Sequence, residues 1–329
     1  MRFSEYMDNW LYSDGGYYNR FKSIGKGGDF YTAVSTSSFF GASIANHLYR
    51  MIESGDIPRD GYLIEIGAHQ GYLLSDMIQW LYTIDPTLIK SMKFGIVERQ
   101  AHVKEAQLEY IRGRFGDDVE IEHFDDISSV EVDYAFLVSN EIFDAFPCEL
   151  YKDAQIATVD NHQISWIEAP KDIATFATKH RLTTGEIAVG YEKFARSIAD
   201  GIARLDFVSF DYGEKYVRND FSIRIYREHE TLPLFDEELV LSEAYQTADI
   251  TYDVNFAHVI EAFGGVGIEL VEHETQARAL VRFGIIDILE QYSKIATKEH
   301  YLREADKIKT LISPIIMGDR FKMIHLARR

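Results

Sequence analysis

The stretch "YLIEIGAHQGYLLSDM", residues 62–77, runs from an apolar segment through a glycine turn into a segment with helical periodicity. The apolar residues before Gly67 predict a short buried strand, and the apolar repeat after Gly71 predicts an amphipathic helix. Such turns often hold nucleotide-like cofactors, because glycines allow close backbone approach and a helix start offers free N–H groups. An ordinary strand-to-helix turn is the alternative.

The rest of the chain alternates strands and helices in the same way. Further strands are predicted at 93–98, 119–124, 134–139 and 204–213, with helices at 39–55 and after the second strand. Strands separated by helices of this length predict an α/β fold with a mostly parallel, Rossmann-like sheet. Residues 150–200 predict an inserted hairpin, with its turn at Asp160-Asn161-His162, and a helical run.

We expect a single domain over residues 1–329, because no Pro- or Ser-rich linker divides the chain. The expected parts are an N-terminal helical segment that closes over the cofactor (1–56), the core of the cofactor site (57–149 and 201–213), insertions (150–200 and 214–253) and a C-terminal part of the core (254–329).

The composition of the chain indicates which kinds of partner it is expected to bind. Asp and Glu outnumber Lys and Arg by 53 to 34, which gives a net charge of -19. Such a surface repels phosphate backbones and favours cationic ligands, so we expect no nucleic acid partner. The sequence shows no apolar run of membrane-spanning length and no leader pattern, which predicts a cytoplasmic protein without a membrane partner. The histidines are scattered, so no metal site is expected.

The glycine spacing of the loop bears on which cofactor binds. A pyrophosphate favours the denser pattern G-x-G-x-x-G, whereas His69 stands where a middle glycine often lies. S-adenosylmethionine (SAM) carries no phosphate and tolerates a looser loop. Glu65, at the end of the strand, could receive the ammonium group of its amino-acid tail.

Acidic residues follow the next two strands. Glu98 lies where a carboxylate can accept both ribose hydroxyls, and Asp125 and Asp126 lie where a side chain can accept from the adenine amino group. Solvated acids at strand ends are the alternative for each position. Their occurrence at consecutive strand ends favours a nucleoside site.

The fourth strand ends in "VSNEIFDAFPCEL", residues 138–150. Asn140, Glu141 and Asp144 are crowded there, and two carboxylates beside a methyl donor can hold a guanidinium by paired hydrogen bonds. A helix start capped by Asn140 is the alternative.

Ordered motifs along the whole chain resemble the MidA-like SAM-dependent methyltransferases. These motifs are "KGGDFYTAVSTSSFFG", "IEIGAHQG", "IVER", "SNEIFDAFP" and "SFDYGE". The family loop usually reads E-L-G-x-G-x-G, and its N-terminal signature continues as T-A-P-E, so His69, Val34 and Ser35 depart from the pattern.

The resemblance implies SAM as cofactor and methyl transfer to an arginine nitrogen of a partner protein, since a mitochondrial relative in that family dimethylates an arginine of its partner. Asn140, Glu141 and Asp144 would then be catalytic. The implied cofactor contacts are Gly28, Asp29, Phe30, Thr32, Glu65, Gly67, Ala68, Gly71, Glu98, Asp125, Asp126 and Asn140. The alternatives are a SAM-binding assembly factor or chaperone without turnover and an NAD-dependent oxidoreductase.

Overall fold

A computed structural model describes residues 1–19, 32–227 and 230–329. Within those ranges the α-helices are α1 (Phe3–Tyr12), α2 (Ala33–Thr36), α3 (Phe39–Glu53), α4 (Tyr72–Ile84), α5 (Leu88–Ser91), α6 (Ala101–Phe115), α7 (Lys171–His180), α8 (Tyr191–Gly201), α9 (Leu241–Ala244), α10 (Phe256–Gly264), α11 (Gln276–Arg282), α12 (Ile285–Ser293) and α13 (Lys298–Ile312). The strands are β1 (Tyr62–Ile66), β2 (Lys93–Val97), β3 (Ile121–Phe124), β4 (Val132–Asn140), β5 (Cys148–Lys152), β6 (Gln155–Asp160), β7 (Gln163–Glu168), β8 (Thr184–Ala188), β9 (Ile202–Glu214), β10 (Arg224–Arg227), β11 (Glu230–Pro233), β12 (Asp249–Thr251), β13 (Val254–Asn255), β14 (Glu269–Thr275) and β15 (Phe321–Arg328).

The largest sheet has eight strands, in the order β14-β15-β9-β4-β1-β2-β3, with β13 paired to β9. Strand β1 runs parallel to β2 and β4, β2 to β3, and β4 to β9, whereas β14 is antiparallel to β15. The strands predicted from apolar runs are all present. The prediction of a mostly parallel, Rossmann-like sheet is therefore confirmed.

The chain forms two compact units. The sheet unit consists of Thr32–Ile142, Phe194–Asp211 and Phe263–Arg329, and the hairpin unit of Met1–Tyr31, Phe143–Lys193 and Tyr212–Ala262.

In the sheet unit, the central strands are buried because their apolar side chains point to both faces of a covered sheet. Leu63 and Ile64 of β1 and Phe136 and Leu137 of β4 are fully buried. Helix α4 places its apolar residues on one face, and Leu74 there is also fully buried. Burial of these apolar side chains stabilises β1 and β4 within the sheet.

The hairpin unit contains an antiparallel sheet in the order β7-β6-β5-β8 and a second sheet in the order β11-β10-β12. The hairpin β6–β7 turns at Asn161 and His162, whose φ angles are 47° and 61°. Two left-handed residues suit a two-residue hairpin turn, and the predicted hairpin is confirmed. Helix α1 is part of this unit, where the indole N–H of Trp10 donates to the carbonyl of Ala248 at 2.7 Å. Closure of residues 1–56 over a cofactor stays a prediction.

In the part of the chain that the structure describes, no helix is both long and apolar enough to cross a bilayer.

Candidate cofactor site

The strand register brings the predicted cofactor residues to one edge of the sheet. Ile66 is paired with Val97 on one side and Ser139 on the other, and Val97 is in turn paired with Phe124. The residues that follow these strand ends therefore lie side by side at the carboxyl edge, where ligands bind in sheets of this kind. They are Gly67, Glu98, Asp125 and Asn140.

The loop after β1 is a tight left-handed turn. Gly67, His69 and Gly71 have φ angles of 74°, 45° and 77°, and the N–H of Gly71 donates to the carbonyl of Ala68 at 2.7 Å. A Cβ at position 67 would lie 2.8 Å from Cγ2 of Ile142, so only glycine fits there. Histidine tolerates the left-handed region better than most residues, which explains how it occupies position 69.

Glu65 is a buried carboxyl group at the end of β1, with 4% of its surface exposed. One of its oxygens accepts a 2.9 Å hydrogen bond from the N–H of Leu74, in the first turn of α4. Gly71 has no side chain to cap this helix, so Glu65 supplies the missing acceptor. Burial raises the pKa of Glu65 to about 8, although the hydrogen bond from Leu74 opposes the shift.

Gln107, on α6, holds the other side of the loop. Its amide nitrogen donates to the carbonyl of His69 at 2.7 Å, and its amide oxygen lies 2.8 Å from Nε2 of His123. The sequence motifs do not point to this residue. A signal was present, since Gln107 is a polar residue between Val103 and Ile111 on the buried face of the helix.

Glu98 and the two aspartates at the end of β3 have local partners. One carboxylate oxygen of Glu98 accepts from the N–H of Gln100 at 2.9 Å, just before α6 begins. Asp125 is exposed and forms an ion pair with Lys104. Asp126 accepts from the N–H of Ser128 at 2.9 Å. Contacts of all three with the nucleoside stay predictions.

Asn140 is the last residue of β4, and Glu141 follows it. The side-chain amide of Asn140 donates to a carboxylate oxygen of Glu141 at 2.7 Å, and the N–H of Glu141 donates to the carbonyl of Phe210 at 2.8 Å. The φ angle of Glu141 is 54°, a conformation that non-glycine residues seldom adopt. Residue 141 therefore breaks the extended conformation of the strand.

Thr32 lies in the sheet unit and is the N-cap residue of α2. Its hydroxyl accepts from the N–H of Ser35 at 3.2 Å, and the Ser35 hydroxyl oxygen accepts from the N–H of Thr32 at 3.0 Å. This reciprocal pair is a capping box, a role that glutamate often fills at the position of Ser35. Gly28, Asp29 and Phe30 lie outside the described residues.

Asp144 belongs to the hairpin unit, in a short 3₁₀ turn at Phe143–Ala145. Its carboxyl group is 4% exposed and accepts a hydrogen bond from the hydroxyl of Tyr212. Burial raises the pKa of Asp144 to about 6, while Tyr212 and the charge of Arg224 lower it. The sequence motifs do not point to Tyr212 as a partner of this residue.

The residues at the edge of the sheet unit fit SAM. The amide oxygen of Asn140 is buried and has no hydrogen-bond partner among the described residues, so it can accept from an ammonium group. Glu98, which follows β2 on the other side of β1, offers carboxylate oxygens, which suit a pair of ribose hydroxyls. Across residues 1–19, 32–227 and 230–329, no group of three or more His, Cys, Asp or Glu could hold a metal ion.

Comparison with known proteins identifies the family of this chain. Residues 43–273 match the model of a family of S-adenosyl-L-methionine-dependent methyltransferases. A protein from Danio rerio, named protein arginine methyltransferase NDUFAF7, mitochondrial, is 23% identical, and the match covers 94% of this chain and 79% of that protein.

Two solved structures from Burkholderia thailandensis have the same fold. A COG1565 superfamily member bound to S-adenosyl-homocysteine has a TM-score of 0.84 at 24% identity, covering 100% of this chain and 88% of that chain. A native structure of a COG1565 superfamily protein has a TM-score of 0.80 at 24% identity, covering 100% and 87%. The cofactor prediction, SAM, is confirmed, and the chain belongs to the MidA-like family of SAM-dependent methyltransferases.

Proposed function

We propose that this methyltransferase transfers a methyl group from SAM to an arginine nitrogen of a partner protein. The name of the Danio rerio relative supports arginine as the acceptor and a protein as the substrate. The net charge of -19 favours encounter with a basic segment.

The observation that carries the proposal is the conformation of Glu141. A non-glycine residue at a φ of 54° costs about 1–3 kcal/mol, and such strain is concentrated at functional sites. The bonds to Asn140 and Phe210 hold Glu141 in this conformation, at the end of the strand beside the loop that follows β1. A carboxylate fixed in this way can bind a guanidinium group by charge-assisted hydrogen bonds.

The chemistry is a direct displacement. SAM supplies an electrophilic methyl group, and the arginine nitrogen forms a bond to it while the carbon–sulfur bond breaks and its electron pair stays on sulfur. Arginine is protonated at physiological pH, so the acceptor must also lose a proton. In this proposal Glu141 binds and orients the guanidinium and takes up the proton that it loses, while a catalytic role for Asp144 stays a separate prediction. Asn140 orients the carboxylate of Glu141.

A second candidate function is a SAM-binding assembly factor without turnover. His69 favours it, because a residue with a side chain stands in the loop where the family usually has glycine. The family assignment favours both candidates over an NAD-dependent oxidoreductase.

The experiment measures transfer of a labelled methyl group from SAM into a lysate of cells that lack this protein. The variant Glu141→Gln should bind S-adenosylhomocysteine (SAH) normally in a calorimetric titration but transfer methyl about a hundredfold more slowly, equal to about 2.7 kcal/mol of transition-state stabilisation. Glu109→Gln, which removes the same charge from an exposed position on α6, is the matched control and should leave both readouts unchanged.

Transfer by Glu141→Gln at the wild-type rate would contradict the role of Glu141. If the wild-type protein binds SAH but transfers no label, the assembly factor without turnover is the better description.

A further inference from the structure

Three aromatic side chains of the hairpin unit form a cluster at its surface. Trp166 lies on β7, Phe221 lies shortly before β10, and Phe235 follows β11. The ring centroids of Phe221 and Phe235 are 4.9 Å apart, and the Trp166 centroid is 6.0 Å from the first and 6.3 Å from the second. Phe235 keeps 45% of its surface exposed. Exposed clusters of large apolar side chains are typical of interaction surfaces.

The neighbouring backbone holds Phe235 in place. Leu234 is buried, and its N–H donates to the carbonyl of Ile223 at 3.0 Å. On the other side, the N–H of Asp236 donates to the carbonyl of Pro233 at 3.1 Å. A ring that is already fixed loses little conformational entropy when a partner covers it. Phe235 is therefore an exposed and preorganised contact.

Acidic residues adjoin the aromatic cluster in the chain. They are Glu168, two positions after Trp166 on β7, then Asp220 before Phe221, and Asp236, Glu237 and Glu238 after Phe235. None of these carboxylates forms an ion pair within residues 1–19, 32–227 and 230–329. The sequence from 230 to 243 contains no lysine or arginine. The negative charge beside the cluster is thus not neutralised locally and favours a cationic partner.

An aromatic ring with carboxylates beside it suits a guanidinium group. The face of the ring carries partial negative charge and attracts a cation placed over it. Arginine suits such a face better than lysine, because its planar guanidinium stacks on the ring and is more weakly hydrated than an ammonium group. The carboxylates add attraction for the same positive charge.

We propose that the aromatic cluster is a docking surface for an arginine-containing basic segment of a partner protein, with a guanidinium stacked on the exposed ring of Phe235. This inference rests on the proposed function, because the partner that supplies the segment is the protein to be methylated. It concerns binding of that partner and gives the cluster no part in the transfer of the methyl group.

The test measures binding of labelled peptides to the full chain by fluorescence anisotropy, in the absence of SAM. The probe is a peptide of alternating arginine and serine residues. Peptides of equal length with lysine or glutamine in place of arginine are compared with it. We expect the lysine peptide to bind at least about threefold more weakly than the arginine peptide, and the glutamine peptide to show no binding.

Phe235→Ala removes the exposed ring. It should weaken binding of the arginine peptide about three- to tenfold, the range expected for loss of a partly exposed cation–π contact. Tyr82→Ala is the matched control, because Tyr82 on α4 is 46% exposed and is also aromatic. The control should bind the peptide as the wild type does. Thermal unfolding of both variants shows whether they remain folded.

A second pair of variants separates local charge from net charge. The double variant Glu237→Gln, Glu238→Gln should weaken binding of the arginine peptide, and more strongly at low salt than at high salt. The double variant Glu105→Gln, Glu109→Gln changes the net charge by the same amount at exposed positions on α6 and should leave binding nearly unchanged. Equal weakening by the two double variants would show that only net charge matters and would overturn the inference.

Equal affinity for the arginine and lysine peptides would also overturn it, as would unchanged binding by a folded Phe235→Ala protein. A wild-type dimer that dissociates in Phe235→Ala would assign the aromatic cluster to a second copy of this chain instead. Binding that depends on Phe235, in a protein that methylates no arginine, would support the docking surface and count against the proposed function alone. Arginine methylation by a protein that binds none of the peptides would overturn this inference alone.

Discussion

The side-chain amide of Gln107 donates a 2.7 Å hydrogen bond to the carbonyl oxygen of His69, so helix α6 holds the loop that follows β1. His69 has a φ of 45°, and a backbone in this region needs support from its surroundings. Gln107 is fully buried, and its second partner is His123 on β3. The Gln107 side chain therefore connects helix α6 to both strand β3 and the loop by hydrogen bonds.

Substitution of Gln107 tests this support. Gln107→Leu should remain folded but bind SAH about five- to tenfold more weakly, because loss of a hydrogen bond worth about 1 kcal/mol lets the loop leave its binding conformation. Gln79→Leu, at an exposed position on α4, is the control. Calorimetry measures the affinity for SAH. Unchanged affinity in a folded Gln107→Leu protein would show that the hydrogen bond from α6 to the loop does not contribute to cofactor binding.

Substitutions at position 69 can show whether His69 affects the protein through its strained backbone or through a contact of its side chain with the cofactor. His69→Gly should keep SAH binding and raise the free energy of unfolding by about 1 kcal/mol, because glycine enters the left-handed region without the penalty of a Cβ. His69→Ala keeps that penalty and should bind SAH without a gain in stability. Urea unfolding and calorimetry give the two quantities. A folded His69→Gly protein that fails to bind would show that the imidazole itself contacts the cofactor.

Glu98 is predicted to accept from the ribose hydroxyls. Glu98→Ala should weaken SAH binding about ten- to hundredfold, since a charged hydrogen bond contributes about 1.5–3 kcal/mol. The substitution also removes the acceptor for the N–H of Gln100, so unfolding must be measured in parallel. Glu105→Ala, on an exposed face of α6, serves as control. If a stable Glu98→Ala protein binds SAH with the affinity of the wild type, Glu98 does not contact the cofactor.

Glu65 offers a test by proton release. Because burial raises its pKa to about 8, Glu65 is mostly protonated at pH 7. An ammonium group placed beside it favours the carboxylate and lowers that pKa, so binding of SAH at pH 7 should release close to one proton. Calorimetry in buffers of different ionisation enthalpy measures the release, and Glu65→Gln should abolish it. If both proteins release the same number of protons on binding SAH, or if the wild type releases none, Glu65 does not contact the ammonium group and only accepts the hydrogen bond from Leu74.

The strand ends could be predicted from the sequence because local patterns determine them. Apolar runs gave β1, β2 and β4, and a parallel sheet places the residues that follow these strands, such as Glu98 and Asn140, at one edge. The partners of those residues depend on side chains distant in the sequence. Gln107 meets His69 only after α6 packs on the sheet, and Tyr212 meets Asp144 across 68 positions of the chain.

The capping of α2 shows how a departure from a family motif can keep its physical role. Ser35 stands where the motif has glutamate, yet its hydroxyl oxygen still accepts from the N–H of Thr32. Compared with the family motif, the sequence lacks the capping glutamate at this position. The side-chain geometry shows that the cap survives.

The central claim is that the methyl acceptor is an arginine of a partner protein. It is tested most directly by mass spectrometry of the residue that gains the methyl group when purified protein and SAM are added to a lysate lacking this protein. Glu141→Gln, assayed in parallel, identifies the peptides whose labelling depends on the site. We predict one or two added methyl groups on the guanidinium nitrogens of an arginine in a basic segment, greatly reduced with Glu141→Gln. Label on lysine or on a small molecule would contradict the claim.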